Sequence, residues 1–235
     1  MGLGFRKLFY YNHIIIATSD VAAKYGTIGT RASRYLDWKD THPFTENDAM
    51  ALLGREDGDL SPQEILAVGM LNPNTLLDLV QNYVGFEESA TGTNKIVPRY
   101  VQYRAADLAV RRLLNPPELP QWEGEGEDRR PDPRGGYVWH TQGSGKSLTM
   151  AWIAQKMQSN RDFGGWKIVY MTDRTSLEDQ LSDTPAFKDL HIRVADNVRQ
   201  LQEYLSDNHA GIIFGMVQKM QDTESRLEAI ENEQQ

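Results

Sequence analysis

The sequence predicts an α/β chain built around a parallel sheet. Three observations carry that expectation. The run Gly135–Met150, GGYVWHTQGSGKSLTM, has the form of apolar strand, glycine-rich turn and helix. Short apolar runs at Lys167–Thr172 and Gly211–Val217, and a shorter one near Ile192, alternate with helical patterns. Alternation of that kind implies parallel strands covered on both faces.

Taken in order, Leu8–Thr18 is apolar and β-branched near its end, which predicts a strand. Arg6-Lys7 before this run imitates a signal peptide, but Asn12 and His13 break it and it is too short to span a bilayer. Gly26 and Gly29 mark a turn, and Arg31–Lys39 is expected to form a short helix. Ser61-Pro62-Gln63-Glu64 is a capping box with proline at the first helical position, predicting a helix to about Leu71. Asn72-Pro73 starts a second helix over Thr75–Tyr83. These small helices read as a connector. In Tyr100–Leu114, Val101, Ala105, Leu108, Ala109 and Leu113 share one helical face, the expected buried face. Asn115–Gly136 holds five prolines and four glycines and predicts an exposed loop. Tyr137–Trp139 is expected to be a buried strand, followed by a helix with Leu148, Ile153 and Met157 at helical spacing. Helices are predicted after Thr172, at Val198–Leu205 and over the charged Thr223–Gln235.

The chemistry concentrates at Gly143, Gly145, Lys146 and Ser147. Glycines let the backbone curl so that several N–H groups meet one phosphate, and the helix N-terminus adds positive potential. Lys146 is placed to reach the β/γ-phosphates, and the Ser147 hydroxyl to hold Mg²⁺. The general pattern wants glycine or alanine five residues before Gly145, where this chain has His140. Among other candidates, Asp173-Arg174 follows a predicted strand at its carboxyl end, where ligands of open α/β sheets collect. Gln218 and Lys219 occupy a similar strand end.

Composition narrows the classes. The 235 residues carry a net charge of −8, so no global basic field attracts nucleic acid, and DNA contacts must be local. Arg31, Arg34 and Lys39 form one basic patch, Arg111 and Arg112 another; both read as solvated faces. Without cysteine there is neither a disulfide framework nor a thiolate metal site, which fits a reducing cytoplasmic setting. Asp20 with Asp37-Trp38-Lys39 imitates a nuclease acid…acid-x-lysine pattern, and we read it as structural. The five histidines show no metal-ligand spacing.

The wording VWHTQGSGKSLTM, with His140 and Gln142, resembles the ATP-binding loop of the restriction (R) subunit of type I restriction-modification enzymes, a superfamily 2 translocase fused to a nuclease. That family departs from the general loop pattern at the same position as His140. Leu8–Thr30 and Trp38-Lys39 resemble the stretch after the nuclease core. Pro98–Leu114 resembles the adenine-recognition segment, Lys167–Leu181 the next helicase motif, and Gly211–Met220 the strand and turn before the acidic box.

The resemblance implies a partial P-loop RecA-like lobe, with the remainder of a nuclease domain over 1–45, a helical connector over 46–97 and the lobe over 98–235. It implies ATP and Mg²⁺ held by Gln102, Thr141, Gln142, Gly143, Ser144, Gly145, Lys146 and Ser147, with Ser147 at the metal. Gln102 is expected to read the adenine edge through its amide, flanked by Arg99 and Tyr100. Thr172, Asp173, Arg174, Gln218 and Lys219 are expected to line a DNA path. Implied partners are double-stranded DNA and the methyltransferase and specificity subunits. The parent activity would be ATP-driven translocation and cleavage of foreign DNA.

No Asp-Glu-Ala-His box occurs between Met220 and Gln235, and seven residues precede Leu8 where a nuclease cluster is expected. The sequence therefore reads as a fragment without catalytic residues of its own. The alternative is a stand-alone, non-catalytic ATP-binding or interaction module. A small-molecule kinase is disfavoured because its loop stands near the N-terminus.

Overall fold

The computed structural model describes residues 11–19, 21–89, 92–118, 132–172 and 192–217. By compactness the chain divides into Met1–Thr149 and Met150–Gln235.

The first unit opens with a three-stranded antiparallel sheet, β1 (Ile15–Ser19), β2 (Ala22–Gly26) and β3 (Leu36–Asp37), in the order β1-β2-β3. The predicted strand is therefore present over the end of its expected range. The expected helix at Arg31–Lys39 is not. Only Ala32–Arg34 make a 3₁₀ turn, because Leu36 and Asp37 pair with Tyr25 and Lys24 of β2. The decoy acid Asp37 faces Lys24 across that pair at 2.9 Å, and Trp38 is buried.

Helix α1 (Glu46–Leu52) begins at Thr45, whose hydroxyl accepts from the Asp48 N–H while the Asp48 carboxylate accepts from the Thr45 N–H. Ser61 and Glu64 make the same reciprocal cap for α2 (Pro62–Ile65), which continues as a π turn over Leu66–Met70. The predicted helix is thus real but widened by one turn. Gly69 explains its value there. A Cβ on Gly69 would stand 2.1 Å from the Asp40 carbonyl oxygen and 2.7 Å from Trp38 Nε1. The absent side chain lets the Trp38–Asp40 segment lie against the helix. Asn72 caps α3 (Pro73–Asn82) as expected.

Leu66, Met70, Leu79 and Tyr83 are fully buried with Tyr25 and Trp38. Trp38 meets Tyr25 edge-on at 5.7 Å and Tyr103 at 5.6 Å between ring centroids. The connector helices thereby share an aromatic core with the sheet and the long helix. A two-stranded hairpin, β4 (Gly85–Ser89) and β5 (Gly92–Ile96), follows; its alternation is too polar to have been foreseen.

Helix α4 spans Tyr100–Leu114, as the periodicity predicts. Its buried face is the opposite one. Gln102, Tyr103, Ala106, Asp107 and Val110 are inside, while Leu108 is exposed. Polar groups on the inner face are satisfied: Asp107 Oδ2 takes His42 Nε2 at 2.6 Å and Arg111 Nε at 2.6 Å. The apolar stripe lines an open trough of about 590 Å³ together with Tyr137–His140. Tyr137–Trp139 is not the expected buried strand. Tyr137 is 103% exposed and Trp139 95% exposed. An apolar run becomes a buried strand only when neighbours complete its ladder. The segment pairs with none of the described strands.

Helix α5 (Lys146–Ser159) runs from the first unit into the second. The second unit holds a parallel sheet in the order β6-β8-β7, from β6 (Lys167–Thr172), β7 (Ile192–Ala195) and β8 (Gly211–Met216). Central β8 is buried from Ile212 to Met216, whereas β6 leaves Val169 and Met171 exposed. Helix α6 (Val198–Ser206) connects β7 to β8. Trp152, Ala151 and Ala154 of α5 and Phe214 of β8 are fully or almost fully buried. The helices expected after Thr172 and over Thr223–Gln235 lie outside the described residues.

Candidate functional site: a phosphate loop held by Gln102

The loop Thr141–Gly145 leads into the first turn of α5. Gly143 and Gly145 both adopt positive φ, at 75° and 79°, a region open to glycine and costly for other side chains. These two reversals turn the chain sharply at the helix N-terminus. At Gly145 a second constraint applies, since a Cβ there would lie 2.4 Å from Gln102 Nε2.

Gln102 reaches the loop from the first turn of α4 and is 4% exposed. Its Nε2 donates to the Ser144 carbonyl at 2.8 Å and the Gly145 carbonyl at 3.2 Å. Its Oε1 accepts from the Arg99 backbone N–H at 2.8 Å. One amide thus caps α4 and ties its start to the glycine turn. The amide expected at a base edge is engaged with the loop.

Lys146 Nζ donates to the Thr141 carbonyl at 2.9 Å, folding back across its own loop. The Ser144 hydroxyl is buried and has no hydrogen-bond partner, and the residue is 8% exposed. Such an unpaired buried group costs about 1–3 kcal/mol, which a polar ligand would relieve. His140 Nδ1 is likewise buried without a partner. The glycine turn at the head of α5 supplies a cradle for phosphate, and the unpaired Ser144 hydroxyl leaves a buried polar group beside it for a ligand to satisfy. The site therefore fits a nucleotide, with backbone N–H groups and the start of α5 as donors. Ser147, partly exposed at the second position of α5, is the hydroxyl available to a metal ion.

The structure brings Gln102 onto the turn of Thr141, Gly143, Ser144 and Gly145, with Lys146 and Ser147 following at the start of α5. Gln142 is exposed on the same loop. Thr172 ends β6 in the second unit and is buried. Asp173, Arg174, Gln218 and Lys219 lie outside the described residues. What the sequence did not reveal is a cavity of about 380 Å³ beside the loop, to which Thr27, Thr30, Arg34, Lys95 and Arg99 contribute. No spacing signal links these residues to a loop up to 118 positions away in sequence, counting from Thr27 to Gly145.

A glycine turn at a helix head, in a chain that also forms a parallel sheet, is the combination that nucleotide-binding ATPase lobes of the RecA-like kind use. The SWI2/SNF2 ATPase family pattern matches residues 101–235, and the chain belongs to that family. Its relatives extend the likeness beyond the lobe. The chain is 31% identical over 229 residues to the type I restriction enzyme HindI endonuclease subunit of Haemophilus influenzae, covering 94% of this chain and 20% of that subunit. It is 28% identical over 189 residues to the SauCOLORF180P endonuclease subunit of Staphylococcus aureus strain COL, covering 77% of this chain and 18% of that one. The resemblance read from VWHTQGSGKSLTM thus extends along nearly the whole sequence. The chain spans about a fifth of the length of these curated relatives.

Proposed function

We propose that this chain is the ATP·Mg²⁺-binding part of a type I restriction subunit. In that reading the parent assembly couples ATP hydrolysis to movement along double-stranded DNA and to its cleavage. The observation that carries the proposal is the buried Gln102 clamp on Ser144 and Gly145, which holds a glycine turn at the head of α5.

The chemistry follows from the loop's own groups. The backbone N–H groups after Gly143 and the N-terminus of α5 stabilise the polyphosphate charge. Lys146 leaves the Thr141 carbonyl and places its ammonium on the outer phosphates. The Ser147 hydroxyl would hold Mg²⁺, which would neutralise charge on the phosphate oxygens. Gln102 fixes the turn; its Oε1 keeps one lone pair beyond the Arg99 bond, available to an exocyclic amine of the base. Thr172, Asp173, Arg174, Gln218 and Lys219 are proposed to touch the DNA backbone. The methyltransferase and specificity subunits of a restriction-modification complex are the proposed protein partners.

Titration of a fluorescent ATP analogue with Mg²⁺ against wild type and Lys146→Ala tests the reading. We expect at least about tenfold weaker binding by the variant, the loss of one charge-assisted contact of about 1.5–3 kcal/mol. Equal affinities would sink the loop assignment. A companion assay on supercoiled plasmid with Mg²⁺ addresses Asp37. Its ion pair with Lys24 predicts no cleavage that depends on it. Nicking by wild type that vanishes in Asp37→Ala would make the decoy real.

A further inference from the structure

We infer that Arg34 is a base-positioning residue of the nucleotide site, laying its guanidinium against the purine in the cavity beside the phosphate loop. The inference rests on the nucleotide reading and adds to it a residue from outside the ATPase match, which begins at residue 101.

The cavity holds about 380 Å³, within the range of sites for small organic ligands. Its walls come from Thr27 after β2, Arg34 on the 3₁₀ turn, Arg99 and Gln102 at the start of α4, and Ser144 and Gly145 of the loop. Lys146 and Ser147 do not line it, and the Lys146 ammonium is turned to Thr141. The cavity therefore lies against the glycine turn but outside the two residues proposed at the outer phosphates and the metal. That is the place for the nucleoside half of the ligand. The Ser144 hydroxyl, buried on this wall without a partner, is a second and independent mark of a polar ligand.

Arg34 and Arg99, the two arginines of this cavity, make no ion pair among the described residues, unlike several other arginines of the same unit. Arg55 pairs with Glu64, Arg104 with Asp40, Arg111 with Asp107 and Arg134 with Asp132. Arg34 is exposed on a turn at the cavity rim. A guanidinium is planar, weakly hydrated and stacks on aromatic faces, which a lysine ammonium does not reproduce. Purine faces are the aromatic surface a nucleotide offers. Arg99, which also lines the cavity and is tied through its backbone to the Gln102 amide, gives the base a second cationic flank. Tyr35 anchors this arrangement from the protein side: its ring packs where a Cβ on Gly26 would be, at 2.8 Å.

Isothermal titration of the full chain with ATP·Mg²⁺ and, separately, with Mg²⁺-tripolyphosphate tests the inference. The proteins are wild type, Arg34→Ala, Arg34→Lys and Lys146→Ala, each checked for native circular dichroism. Arg34→Ala is expected to bind ATP about tenfold more weakly and tripolyphosphate as wild type does. Arg34→Lys is expected to remain weak for ATP. Lys146→Ala is expected to lose both ligands. Unchanged ATP affinity in Arg34→Ala overturns the inference, and so does an equal loss for tripolyphosphate, which would make Arg34 a phosphate contact. If Lys146→Ala binds both ligands as wild type does, the loop reading itself falls and this inference falls with it. A loss in Lys146→Ala with none in Arg34→Ala leaves the loop reading standing and removes only Arg34.

Discussion

Gln102 does two things with one amide. It closes the first turn of α4 through Arg99 and grips the loop through Ser144 and Gly145. Replacing it by alanine leaves the Ser144 carbonyl and the Arg99 N–H without their partner, at about 1–3 kcal/mol, while the Gly145 carbonyl keeps the Thr149 N–H. Gln102→Glu is expected to be worse for the ligand, because a carboxylate oxygen then faces two carbonyl oxygens and pushes the turn away. Urea unfolding together with ATP affinity checks this: alanine costs stability, and glutamate costs more affinity than alanine. The reverse order of affinities would contradict the clamp.

A second residue sets a pH dependence. Asp207 receives Arg193 Nη1 and Lys167 Nζ, and the hydrogen bond from Arg193 is the largest cause holding its carboxyl well below the usual carboxylate range. The folded group is more acidic than the unfolded one. Its contribution to stability is therefore full at neutral pH, declines as pH falls through the ordinary carboxylate range, and is gone below the folded value. The melting-temperature gap between wild type and Asp207→Asn should be widest near neutrality and close on acidification. A gap independent of pH would remove Asp207 from that role.

Elements fared unevenly in the sequence, and the reasons are physical. The ranges of α4 and β6 were legible because proline and apolar periodicity bound them locally. The buried face of α4 was not, because its inner polar groups are paid for by distant partners such as His42, 65 residues away. Binary patterning cannot register a buried Asp107 whose matching groups lie elsewhere. The π turn at Leu66–Met70 was similarly hidden, since it depends on Gly69 admitting the Asp40 carbonyl. Gly69→Ala is expected to destabilise the protein by about 1–3 kcal/mol, as overpacking against a fixed backbone does. Leu108→Lys on the open face of the same unit is expected to stay within about 0.5 kcal/mol. Paired chemical denaturation curves decide between them; comparable losses would mean that the apolar stripe of α4 is the packed one after all.

Over the whole molecule, two compact units carry two separate sets of buried side chains. Trp38, Tyr83 and Leu66 belong to the first, and Trp152, Ile212 and Phe214 to the second. Truncating Trp152 to alanine should cost about 3–5 kcal/mol and speed hydrogen exchange along Gly211–Met216. The loop's chemistry was legible because Gly-x-Gly-Lys-Ser is contiguous. The cavity beside it was not, because Arg34, Lys95 and Gln102 converge only through the fold of the first unit. Amide hydrogen exchange of the full chain with and without ATP·Mg²⁺ shows whether this loop binds the nucleotide. Exchange is expected to slow on nucleotide addition from Gly143 through Thr149, with no such change in Lys146→Ala. Exchange that stays the same across those residues in wild type, or slows equally in Lys146→Ala, would contradict nucleotide binding by this loop.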